Sequence, residues 1–161
     1  MDDHTSFTLV PVLALVARAN HTLLLTTSGQ VYACGDNSFG QLGLGDTKTR
    51  TSFTLVPTPA PVLALVAGAY HTVLLATNGQ VYACGWNYGG QLGLGDTDDR
   101  TSFTFVPTPV PVLALVAGAY HTPLLTTSGQ VYTCGDNSYG QLGLGDTKIR
   151  TSFTFIPTSS L

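Results

Sequence analysis

Residues 29–47 read GQVYACGDNSFGQLGLGDT, residues 79–97 read GQVYACGWNYGGQLGLGDT, and residues 129–147 read GQVYTCGDNSYGQLGLGDT. The interval is 50 residues each time, and it extends beyond the quoted segment. His21, His71 and His121 keep it, as do Cys34, Cys84 and Cys134, and Arg50, Arg100 and Arg150. Only 11 positions differ between 51–100 and 101–150. A period of this size marks a modular array, in which each unit buries its apolar face on a neighbour. A residue present in every unit is first a part of the unit, and only then a candidate for a unique reaction.

Outward from the quoted segment, the middle unit reads as strands and turns. Val62–Ala67 (VLALVA) is short, apolar and followed by Gly68, which suits a buried strand, although its Ala and Leu content leaves a helical reading open. His71–Thr77 is a second strand candidate. Asn78 and Gly79 form a two-residue turn, with positive φ accepted at both, and Gln80–Cys84 returns as the third strand. A short fourth strand is expected around Gln91–Leu94, within a stretch whose glycines at 85, 90, 93 and 95 signal tight turns. Thr101–Val106 is extended and β-prone, and Pro107 and Pro109 end it. No amphipathic helix intervenes, which argues against a parallel α/β sheet.

Such a sheet must stack on its neighbours. Four-stranded sheets stacked radially make a β-propeller, and a 50-residue unit suits one blade. The expected fold is all-β, with three four-stranded antiparallel blades in a single domain over 1–161. The units run approximately 12–61, 62–111 and 112–161, and an extra N-terminal segment covers 5–11.

Composition narrows the function classes. The chain has 161 residues and is 43% hydrophobic but only 9% charged, with no Glu. Its polar surface must therefore be Thr, Ser, Asn and Gln, which favours strands and turns. The net charge is −3 and the six basic residues are scattered, so no basic face points to nucleic acid. The apolar run Leu9–Ala17 follows Asp2 and Asp3 rather than a basic leader, and its PVLALVA core recurs at Pro61–Ala67 and Pro111–Ala117. No stretch reaches the roughly 18 apolar residues of a membrane helix. The compartment stays open, with the cytoplasm favoured for want of a leader or span. The odd cysteine count, without a paired C-x-x-C, points to small buried hydrophobes rather than disulfides or zinc.

The motif G-Q-V-Y-x-C-G-x-N-x-x-G-Q-L-G-L-G-D-T, with V-A-G-A-x-H-T-x-L-L at 66–75 and 116–125, resembles the RCC1 repeat. The resemblance covers nearly the whole chain. It implies a β-propeller, seven-bladed in the best-known members, that works mainly through protein contacts. Some members promote nucleotide exchange on a small GTPase; others inhibit an enzyme, sense light through clustered Trp, or act as scaffolds. Cys34, Cys84 and Cys134 sit where the repeat often carries Trp, so a photoreceptor is not supported. Trp86 lies elsewhere, before Asn87. The first unit departs from the pattern: Arg18 replaces the Gly of 68 and 118, and Asn20 replaces Tyr70 and Tyr120.

Closed propellers have about 4–8 blades, and three units are too few. Two copies closing a six-bladed ring are the favoured homo-oligomer, with the end segments Thr5–Pro11 and Thr151–Pro157 each completing a blade on the partner. A fragment of a longer protein and an open arc are the competing readings.

Candidate chemistry is sparse. His21, His71 and His121 suit hydrogen bonds that fix a turn within each blade better than a metal site. His4 has no equivalent and reads as a solvated terminus. Asp46, Asp96 and Asp146 are turn residues, each four before an Arg that can pair with it or with a neighbouring blade. No phosphate loop and no single catalytic triad are visible. The informative positions are those where units differ: Asp36-Asn37-Ser38-Phe39, Trp86-Asn87-Tyr88-Gly89 and Asp136-Asn137-Ser138-Tyr139. Aromatics dominate binding hot spots, so Phe39, Trp86, Tyr88 and Tyr139, with Asp36 and Asp136, are the expected partner-binding rim. The expected function is non-catalytic protein–protein interaction or scaffolding, without a cofactor. The alternatives are a nucleotide-exchange regulator of a small GTPase, an enzyme or metal protein built on the repeated His, and an engineered or newly amplified repeat without a dedicated partner.

Overall fold

A computed structural model describes residues 9–159 and Leu161. Among these residues the chain forms twelve strands and no helix. The first sheet holds β1 (Val12–Arg18), β2 (His21–Thr26), β3 (Val31–Gly35) and β4 (Arg50–Val56). The second holds β5 (Val62–Ala67), β6 (His71–Ala76), β7 (Val81–Gly85) and β8 (Arg100–Val106). The third holds β9 (Val112–Leu115), β10 (His121–Thr126), β11 (Val131–Gly135) and β12 (Arg150–Ile156). Each sheet is an antiparallel meander in chain order.

The two apolar cores lie between sheets. Leu23, Leu25, Val31 and Leu42 of the first unit pack on Val62, Leu65, Leu74 and Tyr82 of the second. Val73, Leu75, Val81 and Leu92 pack in turn on Val112, Leu115 and Leu124 of the third. Side chains of a strand alternate between faces, so Leu74 points to one neighbour while Val73 and Leu75 point to the other. All six residues of β6 are therefore buried, whereas β2 and β10, each with one uncovered face, alternate over most of their length. The inner strands β1, β5 and β9 approach one another, and β4, β8 and β12 lie outermost. This is a three-blade propeller arc.

Three sequence expectations need correction. The fourth strand is Arg100–Val106, not Gln91–Leu94. Gly90, Gly93 and Gly95 all adopt positive φ, which breaks the extended run, and Leu94 makes only an isolated bridge to Ser152 of the next sheet. The hairpin turn has only Gly79 at positive φ (+83°); Ala76 accepts from Gly79 and donates to Gln80. That is a type I turn with a glycine bulge, longer than the two-residue turn expected. Finally, Thr151–Pro157 is no free overhang, because Arg150–Ile156 pairs with β11 as the outer strand of its own sheet. Residues 5–8 of the other end segment, and His4, lie outside the described residues.

The third sheet is slightly smaller. Pro123 stands where the second unit has Val73 and lacks the N–H owed to Val116, so β9 ends at Leu115 while β5 runs on to Ala67.

Candidate functional site

Each joint between blades is held by a polar relay beneath the apolar core. Thr72 Oγ1 donates to the Gln41 carbonyl at 2.7 Å, and His21 Nε2 lies 3.2 Å from the same hydroxyl. The second joint repeats this with Thr122, Gln91 and His71 at 2.7 and 3.1 Å. Since each hydroxyl spends its proton on the carbonyl, it accepts from the imidazole, which fixes the Nε2–H tautomer. His21 and His71 thus each tie their blade to the next one, rather than fixing a turn within their own as the sequence suggested. The thiols of Cys84 and Cys134 approach the same two carbonyls at 3.6 Å. Burial pushes both thiols up, as expected of structural cysteines, and all three cysteines are free.

The G-A-x-H motif now has a physical cause. A Cβ on Gly68 would stand 2.0 Å from His71 Cε1, and one on Gly118 2.0 Å from His121 Cε1. The glycine vacates the space that the ring fills. Desolvation, with smaller repulsion from His21, His121 and Arg18, lowers the His71 pKa to about 3. Desolvation lowers His21 and His121 as well. His21 and His71, neutral and buried with Thr partners, suit a structural joint, and no group of three potential metal ligands occurs among the described residues.

The glycine-rich loops are shaped by a residue the sequence reading left unassigned. Asn87 is fully buried; its Nδ2 donates to the Asp96 carbonyl, Asp96 Oδ1 and the Asp98 carbonyl, and its Oδ1 accepts from Leu92 N–H. Asn37 and Asn137 repeat the pattern. Its occurrence in all three copies of G-x-N-x-x-G was the available signal. Asp46, Asp96 and Asp146 pair with Arg50, Arg100 and Arg150 of their own units at 2.7–2.8 Å. Hydrogen bonds from Arg50 and Arg150 hold the Asp46 and Asp146 carboxyls down to about 2.

At the loop ends of the blades the chain builds an aromatic cluster. Phe39 of the first unit packs on Tyr70 and Trp86 of the second, with ring centroids 5.3 and 5.6 Å apart. Trp86 stacks on Tyr88 at 6.0 Å and 10°, and meets Tyr120 of the third unit edge-on at 5.6 Å. The structure therefore brings Phe39, Trp86 and Tyr88 together and adds Tyr70 and Tyr120, which the sequence reading had noted only as departures of the first unit. Asp136 lines an open pocket of about 130 Å³ beside Trp86, Tyr88 and Tyr120. Tyr139, 93% exposed, stands away from the cluster, and Asp36 binds Ser38 and Gln41 in the first blade without lining that pocket.

Comparison with known proteins bears on this repeated architecture. The family model described as the regulator of chromosome condensation (RCC1) repeat matches residues 28–75, 78–125 and 128–159. The chain belongs to the RCC1 repeat family. Its RCC1 repeats are 60% identical over 37 residues to the X-linked retinitis pigmentosa GTPase regulator of Canis lupus familiaris, covering 23% of this chain and 4% of that protein. They are 58% identical over 41 residues to the Protein RCC2 homolog of Xenopus laevis, covering 26% of this chain and 7% of that protein. The chain thus spans under a tenth of these relatives' length. A crystal structure of Kap60 bound to yeast RCC1 (Prp20) superposes with a TM-score of 0.83, at 21% identity, over 92% of this chain and 37% of that one. The RCC1 propeller is therefore the fold. No helix among the described residues is long and apolar enough to cross a membrane.

Proposed function

We propose that the chain is a non-catalytic interaction module whose loop-end rim, built on Phe39, Trp86 and Tyr88, docks a protein partner. The observation that carries this is the aromatic cluster itself. Two aromatic side chains, Trp86 and Tyr88, enter at loop positions where the other units carry Asp and Ser, and Tyr88 is 74% exposed. Clustered Trp and Tyr on a rigid scaffold are the usual anchors of a protein interface. Membership of a family whose relatives include a named GTPase regulator supports a regulatory variant of this role.

The end faces support assembly with further blades. Phe103 sits under Gly43 and Phe153 under Gly93; among the described residues nothing lies within 4 Å of a Cβ built on Gly143, while Phe53 is 45% exposed. One end thus offers a notch and the other the matching ring. A second copy meeting both ends is the six-bladed assembly expected above.

The test of the rim uses W86D and Y88S together, which install residues that units one and three already carry. Quantitative affinity capture followed by reconstitution with the purified partner should show binding lost and the circular dichroism spectrum kept. Undiminished binding by the double variant removes the rim from the reading. Nucleotide release from a panel of small GTPases, unchanged by the protein, would remove the GTPase variant alone.

A further inference from the structure

The two joints between blades are near-copies, but one of them lacks a ring. At the first joint, Phe39 fills the space against Tyr70 and Trp86. At the second joint the corresponding positions are Gly89, Tyr120 and Asp136. Gly89 has no side chain to send, and the open pocket of about 130 Å³ lies there, between Trp86, Tyr88 and Tyr120 and beside Asp136. A Cβ built on Gly89 would come 3.6 Å from Asp136 Cβ, so the glycine faces the third unit across this gap.

The pocket also holds an orphaned donor. Gln41 Nε2 donates to Asp36 Oδ2 at 3.0 Å, and Gln141 Nε2 to Asp136 Oδ2 at 2.9 Å. In the second unit Trp86 replaces that carboxylate. Gln91, 1% exposed, keeps its Oε1 on Gly89 N–H but leaves Nε2 without a partner among the described residues. A buried, unpaired amide N–H is costly, and a ligand acceptor relieves that cost.

We infer that this pocket binds an arginine side chain presented by a peptide partner. The guanidinium is planar like the absent ring, and it packs in the gap against the aromatic wall that Trp86, Tyr88 and Tyr120 form. Its charge is matched by Asp136, the third unit's counterpart of Trp86, on the far wall. Burial opposes ionisation of Asp136, but hydrogen bonds from Ser138 and Gln141 outweigh it and hold the carboxyl below its usual range. This inference rests on the docking role of the same rim and names the chemistry it selects.

Trp86 is the single tryptophan of the chain and reports directly on occupancy. Titration with acetyl-Gly-Arg-Gly-amide should change its fluorescence saturably. The isosteric citrulline peptide, which has no charge, should bind at least about fivefold more weakly. The variant Gly89→Phe copies the first unit's residue into the gap, keeps the fluorophore, and should weaken the arginine peptide at least about tenfold. The variant Asp136→Asn should weaken arginine but not citrulline. Equal binding of the two peptides, or an arginine affinity untouched by Gly89→Phe, overturns the inference. No saturable change with arginine overturns it too. If the arginine peptide fails while W86D with Y88S still abolishes partner capture, the docking role survives and only its arginine chemistry falls.

Discussion

His71 of the second blade donates from Nε2 to Thr122 Oγ1 of the third, 3.1 Å away, and Thr122 passes its own proton to the Gln91 carbonyl at 2.7 Å. Two side chains 51 positions apart thereby close a joint that no contact within one repeat supplies. The same arrangement, from His21 through Thr72 to Gln41, closes the joint before it.

The threonine is therefore expected to matter more than its size suggests. Thr72→Val preserves volume but leaves His21 Nε2–H and the Gln41 carbonyl short of a partner in a buried site. It should cost about 1–3 kcal/mol in urea unfolding. An unchanged midpoint would show that the relay is an incidental contact.

The same relay makes the fold sensitive to acid. His71 is held neutral in the folded state, with its pKa lowered to about 3, whereas it titrates near the ordinary imidazole value of about 6.5 once unfolded. Below pH 6.5 the unfolded chain binds more protons, so stability falls as pH falls. The contribution is complete above pH 6.5 and is lost progressively down toward pH 3. His21 and His121 shift the same way. Asp46 and Asp146 add a loss in the same direction, between the ordinary carboxyl value of about 3.9 and about 2. Unfolding midpoints should be flat above pH 7 and decline below 6.5, with His71 alone contributing up to about 1.4 kcal/mol per pH unit. A midpoint that rises between pH 6.5 and 5 contradicts this.

Gly68 should tolerate no side chain. Its built Cβ overlaps the His71 ring at 2.0 Å, and the Gly118 carbonyl is 2.9 Å away on the same side. Gly68→Ala is expected to destabilise by about 1–3 kcal/mol through overpacking. Gly79→Ala has nothing within 4 Å and should cost only its strained φ of +83°. Thermal melts of the two variants side by side separate steric from conformational cost, and equal shifts refute the steric account.

The loop clasp should divide unequally between its two visible parts. Asn87→Ala removes four hydrogen bonds from a fully buried residue and should cost about 2–3 kcal/mol. Arg100→Ala breaks an exposed pair and should cost under about 1 kcal/mol. A larger loss for Arg100→Ala in the same denaturation assay would reverse this ordering.

Assembly can be tested at the vacant notch. Gly143→Asn suits a positive φ of +71° and has free space in the single chain, but it blocks the seat of a partner's Phe53. Sedimentation should show wild-type chains associating and the variant monomeric at equal thermal stability. Wild-type chains that stay monomeric at high concentration refute the paired ring.

Much of this was legible in the residues. The spacing of His71, Gly79 and Cys84 located the central hairpin, because a turn glycine between two apolar runs leaves the chain few other courses. The outer strand was harder. Gln91–Leu94 and Thr101–Val106 both look extended, and only the second forms a ladder, since glycine accepts the positive φ that ends a strand as readily as the geometry that continues one. The rim was half legible. Phe39, Trp86 and Tyr88 stood out as departures from the repeat, but their contact with Tyr70 and Tyr120 depends on how blades stack, a distance no spacing along the chain encodes.

The 50-residue period by itself determined the blade, its central hairpin and the need for neighbours, because each unit carries apolar residues for both faces of its sheet. Which groups meet across the joints was decided by the tertiary structure alone. His71 reaches Thr122, and Gly89 faces Asp136, only because radial stacking lays one unit's loop against the next unit's strands. Identical repeats write the same residues into every unit. The three-dimensional offset between units chooses their partners, and it turns one missing ring into a pocket.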